Sequence, residues 1–173
     1  TPLEIFRLKY LRVTALAALL AVGAQGAGYS VSSYLTTFLQ NERGISASTA
    51  GIFVLLNSVG AFFGLLANAY FSDRFGRRMA FRLFGVGFIL ATIFYLCAPL
   101  GSHAYTLIPA GIIQAFCQFG LYGSFGPYFT ELFPTEVRAS GQAFAYNFGR
   151  AASGIFIQGV AILAASVALN VSM

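Results

Sequence analysis

One charged side chain, that of Arg150, lies deep inside a long uncharged segment. The residues from Ala139 to Met173 contain no other Asp, Glu, Lys or Arg. A guanidinium can bind a carboxylate through two parallel hydrogen bonds, so Arg150 could attract an organic anion. Its neighbours at helical spacing are polar and could complete such a site; they are Gln142, Tyr146, Asn147, Gly154 and Gln158. The alternative is a structural arginine that is capped by carbonyl groups or paired with an acid elsewhere.

Other apolar segments carry polar residues with the same spacing. Gln25 and Tyr29 are one helical turn apart, as are Gln114 and Gln118. Such side chains could line a polar path for a substrate, or they could hydrogen-bond across packed helices. A third stripe contains the small-residue pattern Gly-x-x-x-Gly and predicts close helix packing instead of a ligand site. Its members are Asn57, Gly60, Gly64 and Asn68.

The elements that must hold these residues follow from the distribution of charge. Only 9% of the 173 residues are charged and 58% are hydrophobic, whereas soluble domains carry about 25% charged residues. A water-soluble fold is therefore excluded. The uncharged stretches are continuous, and a hydrocarbon core about 30 Å thick needs about 20 residues of helix. The sequence predicts five membrane-spanning helices, at about 13–39, 48–71, 80–99, 105–130 and 139–169.

The basic residues are distributed unevenly between the two sides of this five-helix topology. All Lys and Arg residues except Arg43 fall on the side of the N-terminus and of the loops after helices two and four, or within the fifth helix. The positive-inside rule places that side in the cytoplasm. The net charge of +5 therefore reflects orientation in the lipid bilayer, and nucleic acid is not expected as a partner.

Two loop segments resemble signatures of the major facilitator superfamily. The loop after the second helix, 72–78, reads Ser-Asp-Arg-Phe-Gly-Arg-Arg, and it is similar to the family signature Gly-x-x-x-Asp-Arg-x-Gly-Arg-Arg, with Ala69 in place of the first Gly. The segment from Glu131 to Gly141 resembles the Glu-x6-Arg segment that sugar-porter and organic-acid members carry between the fourth and fifth helices of a half. Together with 146–150, these segments are most similar to the C-terminal half of bacterial metabolite:proton symporters, such as aromatic-acid and sialic-acid carriers.

The resemblance implies an all-α membrane protein whose five transmembrane helices form an incomplete six-helix half of a major facilitator fold. These helices would be the family's seventh to eleventh, with the N-terminal half and the last helix absent. The implied function is secondary active, proton-coupled uptake of a small organic anion by alternating access in the bacterial inner membrane. The implied partners are the anion, the proton, the lipid bilayer and the N-terminal half of the same transporter. A neutral sugar or drug carrier, or a non-transporting membrane module that binds a partner, are the alternatives.

Two sets of residues follow from the polar stripes and the resemblance. The expected substrate-binding residues are Arg150, Asn147, Tyr146, Gln25, Tyr29, Gln114 and Gln118. The resemblance implies a cytoplasmic gate network of Asp73, Arg74, Arg77, Arg78, Glu131 and Arg138. Every Asp and Glu lies at a predicted loop or helix end, so a carboxylate that couples transport to protons is expected in the other half. No catalytic motif, metal site or cofactor motif is present, and an enzyme is not expected.

Overall fold

The chain is almost entirely helical in the part that a computed structural model describes, residues 2–41, 44–97 and 104–171. A short 3₁₀ segment, Pro2–Phe6, precedes five α-helices. They are α1 (Leu8–Asn41), α2 (Ala47–Phe75), α3 (Arg77–Cys97), α4 (Ala104–Leu132) and α5 (Arg138–Val171). Each predicted span falls on one of these helices, which confirms the all-α, five-helix fold. Residues 98–99, the end of the third predicted span, lie outside the described residues.

The helix boundaries have local causes in the sequence. Ser46 caps α2, because its hydroxyl accepts a hydrogen bond of 3.3 Å from the backbone N–H of Thr49. Gly76 separates α2 from α3 with a φ of 88°, a conformation that favours glycine. The fifth helix begins at Arg138, one residue before the predicted span, because residues 135–137 form a turn.

Three of the helices, α1, α2 and α3, are long and apolar enough to cross a membrane among the described residues. The other two, α4 and α5, have 29 and 34 residues, which also exceeds the about 20 residues that a crossing needs. Large apolar side chains are exposed on α2 and α3; Leu55 is 70% exposed and Leu90 is 62% exposed. Such surfaces are stable only against lipid or another protein. The exact limits of each span within the bilayer stay a prediction.

Two compact units make up the chain, and the first comprises 1–34 and 129–173. In this unit α1 and α5 run in the same direction, since Ala21 packs on Gly149 and Tyr34 bonds to Ile157 further along both helices. The contact at Gly149 is so close that an added Cβ would lie 2.6 Å from the Cβ of Ala21. The two helix backbones therefore approach closely only because residue 149 is a glycine.

The second unit, 35–128, contains α2, α3 and most of α4. Here α2 and α4 form a tight contact that we call the α2–α4 seam. Gly60 faces the backbone carbonyl of Ile112, and Gly64 faces that of Phe116. The same seam has Asn57 against Gly111 and Asn68 against Ser124. The Gly-x-x-x-Gly pattern thus packs helices, as the sequence predicts.

The helix ends of the second unit meet in a cluster of buried apolar residues. It joins the last residues of α1 and α3 to the first residues of α2 and α4, through Leu39, Phe53, Tyr95 and Leu107.

The directions of the helices follow from their contacts. The contacts of the α2–α4 seam show that α2 and α4 are parallel. The contacts of Phe84 with Gly120 and of Phe81 with Tyr128 show that α3 is antiparallel to α4. Successive helices of this unit therefore alternate in direction, as membrane spans joined by short loops must.

Candidate functional site

One face of α5 presents polar side chains outward. Tyr146, Asn147 and Arg150 are all exposed. The buried face of α5 consists of small residues, Ala145, Gly149 and Ser153. Two large apolar residues of the same helix, Phe148 and Phe156, remain 48% and 43% exposed, although the ring of Phe156 lies against Gly26 of α1. Small residues let α5 approach α1, and this packing leaves the polar stripe uncovered.

Arg150 lies 12 residues beyond the start of α5, which corresponds to about 18 Å along the helix axis. Its side chain is exposed. Among the described residues its guanidinium has no ion pair and no hydrogen bond; only its backbone carbonyl accepts a bond, from the hydroxyl of Ser153. Placed at this depth and without a protein partner, the group is available to an anion. The sequence identified it by its isolation from other charges.

Asn147 and Tyr146 flank this arginine but differ in their bonds. The side-chain amide of Asn147 donates a bond of 2.8 Å to the backbone carbonyl of Ala143, within its own helix. The ring of Tyr146 is on the exposed face, while its backbone carbonyl accepts a bond from α1. Both side chains therefore remain on the same open surface as Arg150.

Gln25, on α1, lies in the α1–α5 contact and not on an open surface. It is 1% exposed, and its Nε2 donates a bond of 3.1 Å to the backbone carbonyl of Tyr146. Its Oε1 is buried without a hydrogen-bond partner among the described residues. Tyr29, one turn further along α1, is half-buried. The position of Gln25 suits a residue that fixes α5, in addition to the substrate contact that the sequence predicts.

Gln114 and Gln118 form a buried polar ladder on α4 in the second unit. Their side chains are 2% and 3% exposed, and Nε2 of Gln114 donates a bond of 3.0 Å to Oε1 of Gln118. Nε2 of Gln118 in turn lies 3.5 Å from the hydroxyl of Tyr122. The structure thus brings the two glutamines together. It stays a prediction that these two glutamines line the same substrate path as Arg150.

The loop between α2 and α3 holds a compact group of charges. Arg77 pairs with Asp73 at 2.7 Å and donates to the hydroxyl of Ser72 at 2.9 Å. Arg74 donates to the hydroxyl of Tyr70 at 2.8 Å, and Arg78 is exposed. Gly76 allows the turn that brings Asp73 and Arg77 together across the helix break. Four of the six expected gate residues therefore lie at this one helix break, where Asp73 and Arg77 pair.

The segment between α4 and α5 holds the other expected gate residues. Arg138 donates to the backbone carbonyl of Phe133 at 3.4 Å and lies 3.5 Å from the hydroxyl of Thr135. It therefore stabilises the segment that connects α4 to α5. Glu131, at the end of α4, is exposed. Ion pairs between this segment and the loop at 72–78 stay a prediction.

A contact that sequence reasoning missed joins α1 to the same segment. The hydroxyl of Tyr10 donates a bond of 2.8 Å to Glu136, a residue to which the sequence assigns no partner. The two residues are 126 positions apart, and neither lies in a recognisable pattern. Only the packing of α1 against α5 brings them together.

Comparisons with known proteins identify the family of this chain. A sequence profile described as the Major Facilitator Superfamily matches residues 2–158. A probable 4-methylmuconolactone transporter from Cupriavidus pinatubonensis is 32% identical over 170 residues, which cover 98% of this chain and 39% of that protein. A citrate-proton symporter from Klebsiella pneumoniae is 30% identical over 130 residues, 74% of this chain and 29% of that protein. A cis,cis-muconate transport protein from Acinetobacter baylyi is 27% identical over 130 residues, 73% of this chain and 30% of that protein.

The chain spans two fifths or less of the length of these relatives. No solved structure matches it significantly. The profile covers almost all of the helical region, including both loop segments and the arginine of α5. Together with the apolar helices, this identifies an integral, multi-pass membrane protein. The chain belongs to the Major Facilitator Superfamily, a family of membrane transporters and not of enzymes.

Proposed function

We propose that this chain is part of a secondary active transporter that takes up a small organic anion together with protons, by alternating access, in a bacterial inner membrane. The observation that carries the proposal is Arg150, a cation on the open face of a membrane helix without a partner among the described residues. In this proposal the N-terminus and the loops at 72–78 and 131–138 face the cytoplasm.

The cost of burying charge supports a functional role for Arg150. An arginine at the centre of a membrane helix costs at least about 2.5 kcal/mol in lipid, so such residues face a water-filled cavity or a counter-ion. The proposed cavity lies in front of Tyr146, Asn147 and Arg150. A carboxylate that binds the guanidinium there replaces water with two charge-assisted hydrogen bonds.

The remaining predicted residues have different roles in this proposal. Gln25 acts as a positioning residue, because its amide holds the backbone at Tyr146 while its side chain is buried. Asn147 and Tyr146 contact the substrate directly. Gln114, Gln118 and Tyr29 supply neutral hydrogen-bonding groups elsewhere on the path.

The named substrates of the relatives favour an anion over a neutral sugar or drug. Muconate, citrate and 4-methylmuconolactone all carry carboxylate groups at neutral pH, and these are the compounds in the names of three relatives. A positive side chain in the substrate path would repel a cation and would have no charge–charge attraction to a neutral sugar. We therefore propose a carboxylic acid as the substrate class.

Proton coupling and gating complete the proposal. The described Asp and Glu residues, such as Asp73, Glu131 and Glu136, lie at helix ends or in the segments between helices, so we place the coupling carboxylate in a part of the transporter outside this chain. The loop charges form the inner gate. Several exposed ion pairs, each worth about 1 kcal/mol or less, can bias an equilibrium between two states without locking it.

Uptake measurements on the complete gene product test the proposal. Labelled cis,cis-muconate and citrate are the probes, and labelled glucose is the neutral comparison. Hydrogen bonds to charged groups contribute about 1.5–3 kcal/mol, so Arg150→Ala should reduce anion uptake about 10- to 100-fold. Arg150→Lys should retain an intermediate rate, since it keeps the charge but not the two-pronged geometry.

The matched control is Arg82→Ala, which removes an exposed arginine of α3 outside the proposed site. It should leave anion uptake near the original rate. Near-normal anion uptake by Arg150→Ala would overturn the proposal, and uptake of glucose but not of either anion would favour the neutral carrier.

A further inference from the structure

Tyr10, near the start of α1, reaches the segment between α4 and α5. We call residues 133–137 the α4–α5 connector. Tyr10 is 7% exposed, and its hydroxyl donates a bond of 2.8 Å to the carboxylate of Glu136 in the connector. A hydrogen bond with one charged partner is stronger than a neutral one. Because Glu136 is exposed to solvent, the buried tyrosine is the fixed end of this contact.

The start of α1 is held firmly enough to serve as that fixed end. The hydroxyl of Thr14 donates a bond of 3.0 Å to the backbone carbonyl of Ile5, and both residues are buried. Phe6 packs edge to face on Phe144 of α5, with ring centroids 5.1 Å apart. The 3₁₀ segment, the start of α1 and the start of α5 therefore support the ring of Tyr10 from one compact unit.

Two other hydrogen bonds of the connector join residues that are close in sequence. The amide of Val137 donates to the carbonyl of Pro134 at 3.1 Å, and Arg138 donates to the carbonyl of Phe133 at 3.4 Å. Phe133 and Val137 are also 1% and 2% exposed. These bonds shape the connector locally, whereas the bond from Tyr10 attaches it to a different helix.

The connector lies between two residues of the proposed inner gate. Glu131 is near the end of α4, just before the connector, and Arg138 begins α5 directly after it. The position of the connector therefore determines where both charges lie. The other side of the proposed gate differs, because Asp73 and Arg77 pair with each other across a single helix break.

Tyr10 is too far from the proposed substrate residues for a direct role in binding. It precedes Gln25 by 15 residues, which corresponds to about 22 Å along α1. Gln25 is the α1 residue that bonds to the backbone of Tyr146, near Arg150. An effect of Tyr10 on transport must therefore act through the connector and not through contact with the substrate.

We propose that Tyr10 is a positioning residue of the inner gate, which holds the α4–α5 connector against the start of α1 through its bond to Glu136. This inference rests on the proposed function and adds to it the residue that fixes one side of the gate. Without the bond the connector opens more often, and Glu131 and Arg138 leave the positions in which the gate closes.

Trypsin digestion of the purified complete gene product in nanodiscs tests the attachment without a substrate. Cleavage after Arg138, detected by mass spectrometry as a new N-terminus at Ala139, requires local opening of the connector. Tyr10→Phe keeps the buried ring and removes only the hydroxyl, so the variant should fold. Loss of this one bond should raise the rate of that cleavage about fivefold. Cleavage after Arg78, at the start of α3, is the internal reference and should stay constant.

Uptake of labelled cis,cis-muconate and citrate tests the role in gating. Per folded transporter, Tyr10→Phe should lower the maximal uptake rate about fivefold and leave the KM unchanged, because the substrate residues are untouched. Glu136→Ala should have the same effect, and the double variant should lose no more than either single one. Glu136→Gln keeps an acceptor for the hydroxyl but not the charge, so it should retain an intermediate rate.

Tyr34→Phe is the matched control on the same helix. The hydroxyl of Tyr34 also donates from α1 to α5, with a bond of 3.0 Å to the backbone carbonyl of Ile157. It lies 24 residues beyond Tyr10, about 36 Å along α1 and far from the connector. Tyr34→Phe should therefore keep both the original cleavage rate after Arg138 and the original maximal uptake rate.

Several results would overturn the inference. Unchanged cleavage after Arg138 in Tyr10→Phe would show that the bond does not hold the connector. Faster cleavage with an unchanged maximal rate, or with a change in KM alone, would leave Tyr10 with a purely structural role. Equal rate losses from Tyr34→Phe would indicate a general tether between α1 and α5. Normal uptake by Arg150→Ala would instead overturn the anion site and leave this inference standing, since gating does not depend on which residue binds the substrate.

Discussion

Two stripes of polar and small residues look alike in the sequence but lie in opposite environments. The stripe of the α2–α4 seam, with Asn57 and Asn68 at its ends, is buried. The stripe of α5, with Asn147 and Arg150, is exposed. Both repeat at intervals of three or four residues, so periodicity alone does not separate a packing surface from a binding surface.

The position of the glycines explains the difference. In the α2–α4 seam, Gly60 and Gly64 lie in the middle of the polar stripe, and the neighbouring helix approaches at those points. In α5 the glycine that allows close approach, Gly149, lies on the buried face, about 100° around the helix from Arg150, while Gly154, within the polar stripe, has open space in front of it. A polar stripe is therefore covered when its own glycines contact a neighbouring helix, and it remains open when they do not.

The largest expected effect is on folding, from a methyl group added in the seam. A Cβ at residue 64 would collide with the backbone carbonyl of Phe116, which cannot move as a side chain can. We expect Gly64→Ala to lower the free energy of unfolding by about 3 kcal/mol, at the upper end of overpacking effects. Thermal unfolding of the purified protein, followed by fluorescence, measures this change.

Gly51→Ala is the control, on the same helix but exposed and with no atom within 4 Å of the added Cβ. Since alanine favours helices over glycine by about 0.5–1 kcal/mol, this variant should be as stable as the original or slightly more stable. Equal losses from both substitutions would show that the seam is not a tight contact.

The second prediction compares one asparagine from each stripe and is of intermediate size. The buried asparagine should affect stability, and the exposed one should affect anion uptake. Asn68 is 2% exposed and its amide donates to the hydroxyl of Ser124, so Asn68→Ala should destabilise the protein by about 1–2 kcal/mol. Asn147 is exposed and bonds only to its own helix, so Asn147→Ala should change stability by less than about 0.5 kcal/mol. We expect Asn147→Ala to raise the KM for anion uptake several-fold.

Measuring thermal stability and uptake on both variants distinguishes the two surfaces. Asn68→Ala molecules that remain folded should keep the original KM. A large loss of stability from Asn147→Ala, or a raised KM from Asn68→Ala, would contradict the assignment of one stripe to packing and the other to binding.

The five helices were predictable because the bilayer imposes a length and an apolar composition that the sequence displays directly. Close helix packing at Gly60 and Gly64 was also predictable from their Gly-x-x-x-Gly spacing, although the identity of the partner helix, α4, was not. Arg150 was recognisable because no other charge lies near it in the chain. These features depend only on short sequence patterns or on amino-acid composition.

The features that could not be predicted depend on how distant helices face each other. The burial of Gln25 against the backbone of Tyr146 requires knowledge of which side of α1 meets α5. The bond from Tyr10 to Glu136 joins residues 126 positions apart, and the exposed faces of Phe148 and Phe156 follow from the same packing.

The smallest expected effect on stability is at the charged residues between α2 and α3. A substitution there distinguishes the role of a membrane anchor from that of an inner gate. Asp73 and Arg77 pair at 2.7 Å across the helix break, but Asp73 is 73% exposed, so Asp73→Asn should change the free energy of unfolding by only about 0.5 kcal/mol or less. If the loop charges form the inner gate, the same variant should reduce uptake severalfold while thermal stability stays constant. Glu4→Gln, which neutralises the half-buried acid that lies 3.9 Å from Arg7, outside the loop between α2 and α3, is the control and should leave uptake unchanged. Unchanged uptake by Asp73→Asn would leave this loop with the role of a simple membrane anchor, because a residue whose charge shifts the balance between two transport states cannot be neutralised without changing the rate.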